Sequence, residues 1–79
     1  MDLFGLRLRL ARIALGLTME EAAEILNHCY HTQHAYETGL YKVPEYRRKQ
    51  IAERLGIPLE WLEGEGPTFG FDPVSGEIF

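Results

Sequence analysis

The segment from Gly16 to Gly39 constrains the fold most, because it predicts two short helices joined by a tight turn. Thr18 and Glu21 have the spacing of a capping box, in which each side chain bonds the amide of the other residue at a helix start. Asn27 suits the turn because asparagine tolerates positive φ. The second helix should run from Tyr30 to Thr38. Two helices in this arrangement commonly present the second one to a groove of DNA.

The spacing of apolar residues predicts three further helices, at about residues 3–15, 44–55 and 58–63. Pro44 should be the first residue of its helix, where its missing amide proton costs nothing. The first of these helices has two neighbouring apolar faces. One face is formed by Phe4, Leu8, Ala11 and Leu15. The second is formed by Leu3, Leu6, Leu10 and Ile13. Since this arc is wider than one core contact requires, we expect a partner subunit or the C-terminal tail to cover the second face.

The C-terminal part follows a different pattern. Residues 64–67 break the helical periodicity, and a turn that begins with Asp72 separates the short segments 68–71 and 77–79. This pattern predicts a β-hairpin, which should dock or pair because an isolated two-stranded hairpin is marginal in water. The sequence therefore predicts an all-α, five-helix domain over residues 1–63. A tail over residues 64–79 follows it and carries a short β-hairpin used in packing or dimerisation.

The formal net charge of −4 argues against a nucleic-acid partner when it is taken alone, but the charge is unevenly distributed. Residues 1–55 hold all 8 Lys and Arg against 7 acidic residues, and residues 56–79 hold 5 acidic residues without any Lys or Arg. The helical part can therefore still attract phosphate. The alternative is that the acidic tail serves only solubility.

Localisation is predicted from what the sequence lacks. No apolar run approaches the roughly 20 residues that a membrane span needs, and no signal peptide is recognisable. Cys29 is the only cysteine, so an internal disulfide is impossible. We therefore expect a cytoplasmic protein.

Residues 4–63 resemble the phage-repressor/Cro-type helix-turn-helix family, also called XRE-like. The matching residues are Arg12, Gly16–Thr18, Glu21–Glu24, Leu26, Tyr36–Gly39, Ile51–Ile57 and Leu59–Leu62. The resemblance implies a repressor-like fold whose third helix reads DNA. The chain departs from the family pattern at His28 and Gln33, where similar proteins usually carry apolar residues.

The resemblance also implies roles for individual residues. Arg12, late in the first helix, should pair with Glu37 at the end of the recognition helix; the alternative is two separate solvated charges. Gln33 would be buried. Contacts with DNA bases are implied for Tyr30, His31, Thr32, His34 and Ala35. Contacts with the DNA backbone are implied for Thr18, Met19, Cys29, Lys42, Arg47, Arg48 and Lys49. The alternative for residues 47–49 is an ordinary solvated face.

A homodimer is expected, because one such domain buries too little surface to bind an operator tightly. The candidate dimer surface consists of Leu3, Leu6, Leu10, Ile13, Phe69, Phe71, Ile78 and Phe79.

Catalytic and metal-binding chemistry is not indicated. The residues whose side chains could bind a metal are His28, Cys29, His31 and His34. Their spacing does not match a zinc framework, so no metal site is expected. No nucleophile, base and orienting group occur together, and no glycine-rich phosphate loop is present. We therefore expect neither an enzyme nor a cofactor.

These features predict a sequence-specific DNA-binding transcriptional regulator that acts on a double-stranded operator. By resemblance it is a repressor of phage, prophage or antitoxin type. The alternative is a helix-turn-helix-derived protein-interaction module that binds or masks another regulator. The absence of arginine from residues 30–38 and the acidic C-terminal part favour that alternative.

Overall fold

The computed structural model describes residues 3–64 and the backbone of residues 71–72 and 77–78. Residues 3–64 form five helices, and the other described residues form two short strands. The elements are α1 Phe4–Ala14, α2 Met19–Ile25, α3 Tyr30–Thr38, α4 Glu45–Leu55, α5 Leu59–Leu62, β1 Phe71–Asp72 and β2 Glu77–Ile78. The all-helical character expected for the domain is therefore confirmed over residues 3–64.

The ends of α2 and α3 have the local chemistry that the sequence predicts. The amide of Glu21 donates to Thr18 Oγ1 at 3.1 Å, and the amide of Thr18 donates to Glu21 Oε1 at 3.0 Å. The bond from the Thr18 amide is the main reason that the pKa of Glu21 lies below its ordinary value. Asn27 lies between the helices at φ 59°, and Gly39 ends α3 at φ 80°. The capping box, the turn residue and the bounds of α3 are thus confirmed.

Pro44 precedes α4 instead of opening it, so its expected position is wrong by one residue. The ring fixes φ near −60°, but ψ is extended at 152°. Pro44 is therefore the N-cap, and its carbonyl oxygen accepts the amide of Arg48 at 3.0 Å. Pro58 has the same role before α5, where its carbonyl accepts the amide of Leu62 at 3.2 Å.

The hydrophobic core joins α1 to α4 and α5, and the end of α2 reaches it. Its fully buried large apolar side chains are Phe4, Leu8, Leu26, Ile51 and Leu62. Each such side chain contributes about 1.5–3 kcal/mol to folding when it leaves water. Ile57 and Trp61 are also buried, as the sequence predicts for the last helix. Among the residues of α3, Tyr36 packs against this core.

The two apolar faces of α1 have different surroundings. Phe4, Leu8 and Ala11 are buried, and Leu15 packs against the core. On the second face Leu3 is half-buried and Leu10 packs against the core, whereas Leu6 is 50% and Ile13 is 55% exposed. The second face is therefore covered by the domain itself only in part.

The β-hairpin predicted for the C-terminal tail can be compared with the structure at four residues. Phe71 pairs with Ile78 and Asp72 pairs with Glu77 in an antiparallel arrangement. Phe69, Phe79 and the connecting residues 73–76 lie outside the described part of the chain. The hairpin, and its use in packing or dimerisation, therefore stay a prediction.

Within the described residues, no helix has the length and apolar content of a membrane span.

Arg7 is buried in α1, which the apolar pattern of this helix does not indicate. Only 4% of its surface is exposed. Its Nη1 donates to the carbonyl oxygen of Trp61 at 3.0 Å, and the guanidinium lies 5.1 Å from the centre of the Trp61 ring. This combination of a hydrogen bond and a cation–π contact fixes α5 against α1.

Gly5 sets the distance between α1 and α3. A Cβ built at Gly5 would overlap the carbonyl oxygen of Tyr36 and would lie 3.1 Å from the carbonyl oxygen of Glu37. Both atoms belong to helix backbone, which cannot move aside as a side chain can. Glycine is therefore required at this position for the close approach of the two helices.

We predict that Gly5→Ala destabilises the fold by roughly 1–3 kcal/mol because of this overlap. Helix propensity alone would give the opposite sign, a gain of about 0.5–1 kcal/mol for alanine over glycine. Chemical denaturation followed by circular dichroism measures the free energy of unfolding. A variant as stable as the wild type, or more stable, would show that α1 and α3 are not in this close contact.

Candidate nucleic-acid interface

α3 has one exposed face and one buried face, and these hold different kinds of side chain. The helix packs against both α1 and α2. Tyr30, His31 and His34 are exposed, and Thr32 is half-buried. The rings of Tyr30 and His34 stack with their centres 6.5 Å apart, one helical turn from each other. The exposed face therefore presents a phenol and two imidazoles in a partly ordered arrangement.

Ala35 is not on the exposed face, so its expected contact with bases is wrong. Its surface is 0% exposed, because α3 is enclosed by α1 on one side and by α2 on the other. The buried arc includes Gln33 and Glu37 as well. The burial expected for Gln33 is observed, with 0% of its surface exposed.

The residues expected near the DNA backbone fall into two groups. Thr18 and Cys29 are exposed N-caps of α2 and α3, and Lys42 and Lys49 are exposed.

Met19 is half-buried and lines a groove next to α3. The other residues that line this groove are Arg9, Arg12, His34, Glu37 and Thr38. The exposed Arg9, which the sequence did not single out, thus lies beside the candidate reading face.

The second group, Arg47 and Arg48, is bonded inward and is not a solvated face. Arg47 Nη2 donates to the carbonyl oxygen of Leu26 at 3.1 Å. Arg48 Nε donates to the carbonyl oxygen of Val43 at 2.9 Å, and its guanidinium lies 4.9 Å from the ring centre of Phe4. Arg54 Nη1 likewise donates to the carbonyl oxygen of Ile25 at 3.1 Å. Arg47 and Arg54 thereby satisfy carbonyls at the C-terminus of α2, where cations are favoured.

The thiol of Cys29 interacts with the first turn of α3. Its Sγ lies 3.2 Å from Thr32 Oγ1, although no side-chain bond caps the helix. The hydrogen bond from the Thr32 side chain is the main reason that the pKa of Cys29 lies below its ordinary value. Among the described residues, no three His, Cys, Asp or Glu side chains are arranged to hold a metal ion.

Glu37 receives two hydrogen bonds on one carboxylate oxygen. Arg12 Nε donates to Glu37 Oε2 at 2.8 Å, and Gln33 Nε2 donates to the same atom at 2.6 Å. Arg12 Nη1 also donates to the carbonyl oxygen of Leu17, at 2.9 Å. The Arg12 and Glu37 side chains are only 12% and 3% exposed, so they are not separate solvated charges. The pair connects α1, and through Arg12 the segment between α1 and α2, to the buried face of α3.

His28 extends these hydrogen bonds to α4. His28 Nε2 lies 2.6 Å from Gln33 Oε1, and its Nδ1 lies 2.6 Å from Arg47 Nη2. The chain Arg12–Glu37–Gln33–His28–Arg47, which we call the polar chain, thus runs from α1 through α3 to α4. The resemblance noted in the sequence implies apolar residues at positions 28 and 33, so the polar His28 and Gln33 were the sequence signal for this polar chain.

The surroundings of His28 oppose its charged form. Burial is the largest cause that lowers the pKa of His28 below its ordinary value of 6.5, and the nearby charge of Arg47 adds to it. The hydrogen bond to Gln33 acts in the opposite direction. The edge of the His28 ring also meets the Tyr36 ring, with 5.5 Å between the centres.

We predict that Glu37→Ala lowers the free energy of unfolding by about 3–5 kcal/mol, because Arg12 and Gln33 lose their shared acceptor inside the domain. Glu45→Ala is the matched control. Glu45 meets Lys49 only at 4.0 Å on an exposed surface, so its removal should change stability by less than about 1 kcal/mol. Chemical denaturation compares both variants with the wild type. Equal small effects would mean that the Glu37 pair does not hold α3 in place.

Two curated proteins are similar to this chain. They are uncharacterized HTH-type transcriptional regulators of Sinorhizobium medicae (strain WSM419) and Rhizobium meliloti (strain 1021). Each is 30% identical over 66 residues, which cover 84% of this chain and 48% of the relative. The chain thus spans about half the length of these relatives. No protein-family model and no solved structure matches the chain. The similarity supports a relationship to helix-turn-helix transcriptional regulators in general, without distinguishing the phage-repressor/Cro-type family among them.

Proposed function

We propose that the chain is a sequence-specific DNA-binding domain of a transcriptional regulator, with α3 as its recognition helix. The observation that carries the proposal is the division of α3 into two faces. Gln33 and Glu37 are buried in hydrogen bonds that fix the helix, while Tyr30, His31 and His34 are exposed. A helix held along one side, with hydrogen-bonding groups on the other, suits the major groove of DNA.

The exposed Tyr30, His31 and His34 and the half-buried Thr32 have chemistry that suits a base edge. The imidazoles of His31 and His34 can donate to guanine or adenine nitrogen, and the Tyr30 hydroxyl can donate or accept. The Thr32 methyl group can pack against a thymine methyl group. Because α3 has no arginine, it lacks the commonest contact with guanine. We therefore expect recognition that leans toward A·T pairs.

Phosphate contacts are assigned to the cations that remain exposed around α3. Lys42 and Lys49 are exposed, and the ion pair that Lys49 makes among the described residues is a 4.0 Å contact with the exposed Glu45. Arg9 lies in the groove beside α3. The amides at the N-caps Thr18 and Cys29 complete the set. Arg47 and Arg48 are left out because their guanidinium groups hold α4 in place.

We further propose a cytoplasmic homodimer that represses operons of phage, prophage or antitoxin type, as the family resemblance implies. Leu6 and Ile13 are half-exposed on one face of α1, and a second copy of the chain would cover them. Two-fold symmetry would double the contacts with a palindromic operator. The tail residues Phe69, Phe71, Ile78 and Phe79 belong to the same proposed surface.

The alternative function is a protein-interaction module that binds or masks another regulator. It is favoured by exposed aromatic and apolar side chains around α3, with Tyr30 49%, Tyr41 48% and Leu40 69% exposed. Aromatic residues are common at protein interfaces. The two functions differ in their dependence on salt, because contacts with phosphate release counterions.

We predict that the full chain is retained on duplexes selected from a random library, and that the affinity falls steeply as salt rises. Each neutralised phosphate contributes a slope of about −0.9 in a plot of log affinity against log salt concentration. Lys42→Gln and Lys49→Gln should each reduce the magnitude of the slope by about 1. Fluorescence anisotropy at several salt concentrations gives these slopes.

The control for charge is Glu60→Gln on α5, which changes the net charge by one away from α3. Its salt slope should equal that of the wild type. Failure to retain any duplex, including the upstream region of the gene itself, would contradict DNA binding and favour the protein-interaction module. Equal slopes for all variants would contradict the assignment of Lys42 and Lys49.

A further inference from the structure

We propose that His28 is a positioning residue that joins α4 to the recognition helix only as a neutral imidazole, so that proton uptake by His28 loosens α3 and weakens DNA binding. The link to DNA binding rests on the proposed function. The link between His28 and the order of α3 does not, and it can be measured on the free protein.

The direction of each hydrogen bond in the polar chain follows from the groups involved. A guanidinium can only donate, so Arg47 Nη2 donates to His28 Nδ1, which must carry a lone pair. The proton of the neutral ring is then on Nε2, which donates to Gln33 Oε1. Gln33 Nε2 donates in turn to Glu37 Oε2, which also accepts from Arg12. Every contact of the polar chain is satisfied with one tautomer of neutral His28.

A proton on Nδ1 breaks this arrangement at one end. It would place an N–H group against the N–H of Arg47, between two atoms only 2.6 Å apart, and two positive charges would then face each other. The bond from Nε2 to Gln33 could remain. The contact that is lost is therefore the one by which His28, bonded to Gln33 of α3, is held to Arg47 of α4.

Among the described residues, the other groups around His28 do not offset this charge directly. Tyr36 of α3 presents its ring to the edge of the imidazole. The carbonyl of Leu26, at the end of α2, already accepts from Arg47. Glu37 is the anionic member of the polar chain, but it lies one side chain further along and accepts from Arg12 of α1 and from Gln33. The cation that faces His28 at contact distance is Arg47.

The sign of the pH dependence follows from the lowered pKa of His28 in the folded state. In the unfolded chain the pKa of His28 has its ordinary value of 6.5. At any pH between this pKa and the lower pKa of the folded state, the unfolded state binds more protons. The stabilisation is fully present above about pH 6.5 and is lost as the pH falls toward the folded value. Acidification below pH 6.5 should therefore lower the free energy of unfolding and release Arg47.

The first test uses the free protein and compares the wild type with His28→Gln, whose amide can accept and donate without titrating. Below about pH 6.5 the wild type should lose stability, and the protection factors of the α3 amides, which correct for the intrinsic effect of pH on exchange, should fall. The variant should lose much less of its stability over the same range. Both proteins keep His31 and His34, so any effect of these exposed rings cancels. Identical pH profiles for the two proteins would overturn the proposal.

Arg47→Met is a second variant that keeps the test decisive should His28→Gln fail to fold. It leaves His28 and Gln33 in place but removes the cation that opposes proton uptake. Nuclear magnetic resonance of the ring should then show a higher pKa for His28 than in the wild type. An unchanged pKa would mean that Arg47 does not face His28, which would also overturn the proposal.

The second test measures duplex affinity at about pH 7.5 and about pH 5.5, which lie above and below the ordinary histidine pKa. The wild type should lose several-fold more affinity on acidification than His28→Gln. Duplex binding with equal losses for the two proteins would overturn the positioning role. If no duplex is retained but the free protein behaves as expected, the proposed function fails while the proton-linked order of α3 is supported.

Discussion

The carboxylate of Glu37 is the interaction on which the placement of α3 depends. One oxygen of this almost fully buried group accepts from Arg12 of α1 and from Gln33 of α3. A buried carboxylate is costly unless such donors satisfy it, so neither partner can be removed without a penalty. This arrangement fixes the rotation of α3 about its own axis, and that rotation decides which side chains face solvent.

The rest of the candidate interface follows from this rotation. With Gln33 and Glu37 turned inside, the side chains of Tyr30, His31 and His34 are exposed on the remaining arc of α3. Gly5 allows α1 to approach α3 closely enough for Arg12 to reach Glu37. His28 then carries the connection on to Arg47 of α4. Polar contacts thus hold α3 at positions 28 and 33, and His28 adds a group that can take up a proton.

Local signals in the sequence were sufficient to predict α2, α3 and the turn between them. The capping box at Thr18, the positive φ of Asn27 and the end of α3 at Gly39 depend on neighbours within a few residues, and the structure contains all three. Features that depend on distant parts of the chain could not be predicted in this way. Ala35 is buried because two helices enclose α3, and Arg7 is buried where its guanidinium meets the carbonyl and ring of Trp61, 54 residues away in the sequence. The inward bonds of Arg47 and Arg48 likewise depend on how α4 packs, which a run of charges does not reveal.

The most direct test of the account is the duplex affinity of the His31→Ala/His34→Ala double variant. Both side chains are exposed, so the free energy of unfolding should change by no more than about 0.5 kcal/mol for each substitution. Each lost base contact should weaken specific binding by about 1–3 kcal/mol while non-specific binding is retained. Glu53→Ala, at an exposed position on α4, serves as the control and should bind as the wild type does. Unchanged specific affinity in a folded double variant would contradict the assignment of α3 as the helix that reads DNA.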